Sequence, residues 1–212
     1  MIESGIGLIL RTRPLTDTSL IVHWLTPDFG RIATVAKGAR RQKSPFAGKL
    51  DLFYLAEFSF QRSRRSELHQ LREVSLRETH AVIRTELEYV QQASYAAALI
   101  EQTTEMDTPI PEIYSLMTGF LKNLSKYVPE SRTLFAFEVK LLSELGLQPD
   151  FEKEKVNADL KQILRILLVS DWDALARLKL SRSQTVALRQ YLHGFLVYHL
   201  GKVPATRSRS VN

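Results

Sequence analysis

A run of basic residues that contains no acid lies between Gly30 and Lys49. Lys and Arg side chains that meet phosphates release condensed counterions, which favours binding to a nucleic-acid backbone at low salt. The segment is rich in Gly, Ser and Pro, as expected of a loop that follows a strand. Charge alone leaves two interpretations open, a nucleic-acid contact and a solvated basic loop. With Arg13 just upstream, the basic residues are Arg31, Lys37, Arg40, Arg41, Lys43 and Lys49.

Aromatic side chains are the second requirement of a single-strand site, because every base offers a face for stacking. Trp24 and Tyr54 follow alternating strand patterns, which favours the interior of a small barrel over a stacking role. Phe46 lies in a Ser-Pro-Phe-Ala-Gly segment, so we expect it in a loop and prefer it as the stacking residue. The predicted nucleic-acid contacts are therefore Arg31, Lys37, Arg40, Arg41, Lys43, Phe46 and Lys49.

The sequence lacks the residue patterns that disulfide, metal, cofactor or catalytic sites require. The chain has no cysteine, which excludes disulfides, thiolate zinc sites, iron–sulfur clusters and Cys nucleophiles. His193 and His199 are six positions apart, without a cluster of acids, so structural roles are favoured over metal binding. Asp171 and Asp173 lie at a helix start, where capping is favoured over acid–base catalysis. No phosphate-cradling glycine motif or nucleophile–base pair is present, so we predict no enzyme activity, cofactor or metal.

The positive charge is concentrated in part of the chain. The net charge is +6, and residues 1–80 hold 13 Lys and Arg against 8 Asp and Glu. Residues 81–200 hold 13 against 15. The N-terminus lacks the basic start and long apolar run of a signal peptide, and no apolar run approaches the roughly 18 residues of a membrane span. These features predict a cytoplasmic protein with an anionic partner and no membrane segment.

Alternating apolar residues predict five strands in the first eighty residues, at 5–13, 18–26, 30–37, 51–61 and 67–78. Five short strands with one long basic connection predict a five-stranded OB-like β-barrel over 1–79, a fold that binds oligonucleotides. From His80 the apolar period becomes helical, which predicts an all-helical domain over 80–205 and an α+β protein overall. Ser170 and Ser183 are predicted N-caps, Gly146 and Gly201 are predicted to follow helix ends, and residues 206–212 are a predicted flexible basic tail.

Several of these features occur together in one known family. Asp17 precedes an apolar strand, Gly30-Arg31 follows the turn, and Ala36-Lys37-Gly38-Ala39-Arg40 leads to Lys43-Ser44. Further along, FEVKLL at 137–142 is followed by Gly146 and Pro149, and His199-Leu200-Gly201-Lys202 precedes Arg207-Ser208. Over nearly its whole length the chain resembles the recombination protein O (RecO) family of DNA repair proteins. Many members carry a four-cysteine zinc loop where this chain has only residues 151–158, so zinc binding is not carried over.

The resemblance implies an OB-fold joined to a helical domain, and a mediator that binds single- and double-stranded DNA near the nucleoid. It also implies annealing of complementary strands, and loading of the RecA recombinase onto DNA coated by single-strand-binding protein (SSB). The implied partners are RecR and the acidic SSB tail. For that tail we predict a docking site on the helical domain, beside the apolar Leu116, Phe120 and Leu124. Its cations are Lys122, Lys126, Arg132 and Lys140. An OB-fold RNA-binding protein and a protein-interaction adaptor remain the alternatives.

Overall fold

The computed structural model describes residues 1–149 and 156–211. The strands are β1 (Ile2–Pro14), β2 (Leu20–Thr26), β3 (Gly30–Ala36), β4 (Leu55–Gln61) and β5 (Leu68–Glu78). The helices are α1 (Leu87–Thr103), α2 (Pro111–Lys126), α3 (Ser131–Glu144), α4 (Ala158–Val169), α5 (Trp172–Arg177), α6 (Arg182–Leu200) and α7 (Arg207–Ser210), and a 3-10 helix covers Ala81–Arg84. Two compact units result. The sheet unit comprises Met1–Ala81 and Thr104–Ser115, and the helical unit comprises Val82–Thr103 and Leu116–Asn212.

The five strands form one sheet that closes on itself in the order β1-β2-β3-β5-β4. All pairs are antiparallel except β3 with β5, and β4 returns to β1 with Ile2 opposite Gln61. The predicted α+β class and OB-like closed sheet are confirmed. Strand β4 begins at Leu55 rather than at residue 51, because Phe53 has a positive φ of 64° that interrupts an extended chain. The Phe53 amide instead donates to the Ile9 carbonyl at 2.8 Å.

Aromatic rings fill the interior of the closed sheet. Trp24 stacks on Phe58 with ring centroids 4.2 Å apart, and Phe58 in turn packs on Phe60. The Trp24 indole N–H donates to the Thr34 hydroxyl at 2.8 Å, so the polar group of this buried ring has a hydrogen-bond partner. Trp24 is therefore a core residue, as its alternating pattern predicts, and Tyr54 packs partly buried against the same cluster.

The sheet unit includes a segment that is distant in sequence. Contacts with Arg31 and Arg62 hold residues 104–108 against the sheet. The Arg31 guanidinium donates to the Thr104 hydroxyl at 2.7 Å, and the Asp107 amide donates to the Arg31 carbonyl at 2.8 Å. Arg62 forms an ion pair with Asp107 at 2.8 Å and another with Glu3 at 2.8 Å. The hydrogen bond from Arg62 lowers the pKa of Glu3. The predicted boundary at residue 79 misses this segment, because residue spacing does not show such long-range contacts.

Two helix caps in the helical unit lie beside the predicted residues. Asp171, rather than Ser170, caps α5 by accepting a hydrogen bond from the Ala174 amide at 2.7 Å. Ser181, rather than Ser183, caps α6 and forms a capping box with Gln184. Helix α6 ends before Gly201 and α3 before Leu145 and Gly146, as predicted.

The C-terminal residues are packed rather than free. The predicted flexible tail at 206–212 is wrong for the described residues, because 207–210 form α7 and Arg207 is only 5% exposed. Its guanidinium forms a bidentate pair with the fully buried Glu138, at 2.7 and 2.9 Å. The Tyr95 hydroxyl donates to the same carboxylate at 2.6 Å. A buried carboxylate needs such partners, and they hold the end of the chain in place.

Candidate nucleic-acid interface

The connection between β3 and β4 is a compact series of turns. The amides of Arg41, Ser44 and Ala47 each donate to the carbonyl three residues earlier, at 3.1 Å in every case. Gly38 and Gly48 adopt φ values of +70° and +69°, a conformation that other residues rarely take and that lets the chain reverse within so few positions. The loop that carries most of the predicted contacts is therefore ordered by its own backbone.

Phe46 anchors this loop. Its side chain is 7% exposed and belongs to the core cluster that includes Trp24 and Phe58. The prediction of a loop position is correct, but the prediction of a stacking role fails, because too little of the ring is exposed for a base to stack on it. Burying an aromatic side chain removes a large apolar surface from water, and that gain outweighs the polar character of its neighbours in sequence.

Four of the loop cations point into solvent. Lys37, Arg40, Arg41 and Lys43 are exposed, and Lys49 is half-buried. Arg40 also ties the loop to the turn between β1 and β2: its amide donates to the Thr18 carbonyl at 3.0 Å, and its guanidinium donates to the Thr16 carbonyl at 3.3 Å.

Strand pairing adds two arginines of β1, with Arg13 near the loop end of β3 and Arg11 opposite His23, which pairs with Ala33 in the middle of β3. Arg13 of β1 lies opposite Ile21 of β2, which in turn lies opposite Val35 of β3. Two interstrand spacings, roughly 10 Å across the sheet, therefore separate Arg13 from the end of β3. Arg11 and Arg13 are both exposed. The sequence prediction did not include Arg11; its signal is the spacing of two arginines at i and i+2, which share one face of a strand. We call the group Arg11, Arg13, Lys37, Arg40, Arg41 and Lys43 the basic surface.

His23 reports the electrostatic field beside this surface. It lies opposite Arg11 on β2. Burial lowers the pKa of His23 to about 4, with further contributions from the charges of Arg11, Arg13 and Arg31. A further positive charge is disfavoured there, so the imidazole stays neutral at physiological pH.

Arg31 lies apart from the other predicted contacts. It is at the start of β3, and Lys37 directly follows the end of that strand, which places them roughly 20 Å apart. Its guanidinium donates to both the hydroxyl and the carbonyl of Thr104. The structure thus gives Arg31 a role in holding residues 104–108 and separates it from the loop cations.

The second predicted site, on the helical unit, is largely engaged by the protein itself. Lys126 pairs with Asp173 at 2.7 Å, and Lys140 donates to the Leu168 carbonyl at 2.6 Å. Arg132 pairs with Glu130 and donates to the Ala176 carbonyl at 2.7 Å. The hydrogen bond with Asp173 raises the pKa of Lys126, and burial lowers that of Lys140.

The apolar residues predicted to line that docking site are mostly core. Phe120 and Leu124 are at most 1% exposed, and Phe120 packs on Phe137 with ring centroids 4.8 Å apart. Lys122 is exposed. Two of the three residues predicted to line the groove are therefore part of the core, since the same stripe that signals a groove also signals an ordinary helix packing face.

None of the helices within residues 1–149 and 156–211 combines the length and the hydropathy of a membrane-spanning segment. The same residues contain no group of three or more His, Asp or Glu side chains suited to a metal ion.

Comparison with known families places the chain. The family model described as "Recombination protein O N terminal" matches residues 1–80, and that described as "Recombination protein O C terminal" matches residues 84–157. The chain belongs to the RecO family. With no cysteine, it is a member without the zinc-binding cysteines. Most of segment 151–158, which stands where other members carry the zinc loop, lies outside the described residues.

Curated relatives agree with this assignment. A DNA repair protein RecO of Rhodopirellula baltica is 33% identical over 143 residues, which cover 68% of this chain and 53% of the relative. A DNA repair protein RecO of Bacillus pumilus is 29% identical over 153 residues, covering 72% and 59%. One of Listeria monocytogenes is 31% identical over 148 residues, covering 69% and 57%. The matches thus span little more than half the length of these relatives.

Proposed function

We propose that this chain is a non-enzymatic DNA-binding mediator of recombinational repair, which holds single- and double-stranded DNA through the basic surface. One observation carries the proposal: four exposed cations stand on an ordered loop within a stretch, Gly30 to Lys49, that contains no acid, and strand pairing brings Arg13 to the same end of the closed sheet. Membership of the RecO family supports DNA as the polyanion.

The chemistry of the basic surface favours phosphates over bases. Lys and Arg at an exposed surface neutralise the backbone, and Phe46, the ring predicted to stack on a base, lies in the core. Binding is therefore expected to depend weakly on base sequence and steeply on salt. Neutralising two strands lowers their mutual repulsion and lets them approach, which is the physical route by which this surface would promote annealing.

The partners follow from the family. We propose that the chain works with RecR and binds the acidic SSB tail, and that this binding delivers RecA to SSB-coated DNA in the nucleoid. For the tail, Lys122 and the partly engaged Lys126, Arg132 and Lys140 remain the proposed cations, now without a described apolar groove beside them. Equal affinity of a tail peptide for wild type and for the K122E variant would show that the binding site lies elsewhere.

Annealing of two complementary oligonucleotides, with and without SSB, tests the mediator function. The chain should accelerate annealing of naked strands and should also act on SSB-coated strands. R41A/K43A removes two exposed loop charges and should slow both reactions. R64A/R65A is the matched control, because it removes two exposed arginines from the β4–β5 turn at the opposite end of the sheet. Equal loss in both double variants would contradict a localised site, and displacement of DNA by an equal amount of single-stranded RNA would favour a general OB-fold RNA-binding protein.

A further inference from the structure

A ladder of aromatic rings lies along the solvent side of α6 in the helical unit. The ring centroids of Phe195 and His199 are 4.3 Å apart, and those of Tyr198 and His199 are 4.9 Å apart. Tyr191 continues the ladder, 5.9 Å from Phe195. From Tyr191 to His199 the helix rises roughly 12 Å. The rings therefore form a continuous stripe on one helix.

The stripe is open to solvent. Tyr198 is 84% exposed, an unusual degree for a ring that could bury its apolar faces. A groove of about 410 Å³ runs beside it, lined by Gln190, Tyr191, Gly194, Phe195, Tyr198 and His199. A Cβ placed on Gly194 would meet nothing within 4 Å, so the groove is also unobstructed at its middle. The rings are thus placed to contact a molecule outside the described chain.

The stretch of sequence that contains the stripe carries charge of one sign. From Ala174 to Asn212 the sequence has seven Lys and Arg and no Asp or Glu. Lys202 and Arg209 are exposed, as is His193 on α6 itself. This pattern repeats, in the helical unit, the absence of acids between Gly30 and Lys49. An acidic or phosphate-bearing partner matches it, and a basic one does not.

We propose that the α6 aromatic stripe, formed by Phe195, Tyr198 and His199, is a second nucleic-acid site that stacks the bases of a single strand. Rings combined with cations match a polymer that alternates flat bases with phosphates. The basic surface offers charge without rings, whereas this stripe offers rings bordered by charge. The proposal rests on the proposed function only for the class of ligand, and it gives the two units different tasks: phosphate contact in one, base stacking in the other.

Two probes separate these tasks: a 20-nucleotide oligo(dT) and an abasic 20-mer with the same phosphates and no bases. Wild type should bind oligo(dT) more tightly than the abasic probe. Y198A should weaken oligo(dT) binding by about 5- to 150-fold, the range for one lost stacking contact, and leave abasic binding unchanged. Y198F is the matched control, since it keeps the ring and removes only the hydroxyl, and it should bind as wild type does.

Other outcomes are distinguishable. R41A/K43A should weaken both probes in parallel, which keeps the ratio of their affinities. A wild type that binds neither probe contradicts the proposed function itself. If wild type binds both probes and Y198A leaves their ratio unchanged, the stacking site is refuted while the basic surface stands. If Y198A instead converts a dimer to a monomer in sedimentation and leaves oligo(dT) binding intact, the stripe joins two copies and the proposal is overturned.

Discussion

Phe46 offers a sharp test of how the basic loop is held. As a core anchor, its truncation to Ala removes a ring that is 7% exposed and packed in the cluster with Trp24 and Phe58. Phe→Ala changes in cores cost about 3–5 kcal/mol. The sheet unit has 93 residues, 81 plus 12, so we expect its midpoint of thermal unfolding to fall by more than 10 °C at about 4–8 °C per kcal/mol.

The assay can follow this unit alone. The chain has two tryptophans, Trp24 in the core of the closed sheet and Trp172 in the helical unit. In a W172F background, intrinsic fluorescence reports only the surroundings of Trp24. Urea titration then gives the free energy of unfolding of the sheet unit, for wild type and for F46A. F46L is the matched variant, because it keeps an apolar side chain of similar bulk and should cost only about 1 kcal/mol.

The two roles considered for Phe46 predict opposite results. A core anchor makes F46A strongly destabilising and F46L mild, and leaves the affinity of folded F46L for DNA near that of wild type. A stacking residue makes both variants nearly neutral for stability and both weak in binding oligo(dT). Finding F46A within about 0.5 kcal/mol of wild type, as for a surface position, would refute the account of the loop.

Three further predictions concern other parts of the chain. R207A should destabilise the helical unit by about 3–5 kcal/mol, because it removes the cation that is paired with the buried Glu138 carboxylate. R209A, at an exposed position, should change the free energy of unfolding little. Equal effects of the two variants in denaturant titrations would contradict the buried pair. His23 should titrate near pH 4 when its ring is followed by NMR. Its contribution to stability is therefore complete above about pH 6.5 and is lost as the pH falls towards 4. A titration midpoint near pH 6.5 would mean that the ring is solvated and far from the arginines. A strong chelator should leave the melting temperature and DNA binding unchanged, and elemental analysis that found stoichiometric zinc would contradict this.

Local patterns predicted most of the fold. Alternation located all five strands of the closed sheet, and the change to a helical period located the helical unit. The errors occurred where neighbouring residues offered equivalent chemistry. Ser170 and Asp171 can both cap a helix, and only the hydrogen bond to the Ala174 amide shows which one does. Residues 104–108 were missed because contacts with Arg31 and Arg62 span more than 40 positions in the sequence.

The candidate site was predicted in composition but not in arrangement. Lys37, Arg40, Arg41 and Lys43 share an exposed loop, as their spacing suggested. Charge counting could not show that Arg31 lies at the far end of β3, nor that pairing of β1 with β2 brings Arg13 close to the loop. Each of these depends on strand register, which one sequence specifies only through the hydrophobic pattern.

The salt dependence of DNA affinity is the direct test of whether the loop cations of the basic surface hold nucleic acid through phosphates. For single strands each phosphate contact contributes about 0.7 to the slope of log affinity against log salt. Loss of two contacts in R41A/K43A should therefore flatten the slope by about 1.4 and weaken binding about 25-fold at 0.1 M salt, if the electrostatic contribution vanishes near 1 M. We expect this change for R41A/K43A and little change for R64A/R65A. An unaltered slope in R41A/K43A, or the same flattening in both variants, would contradict it.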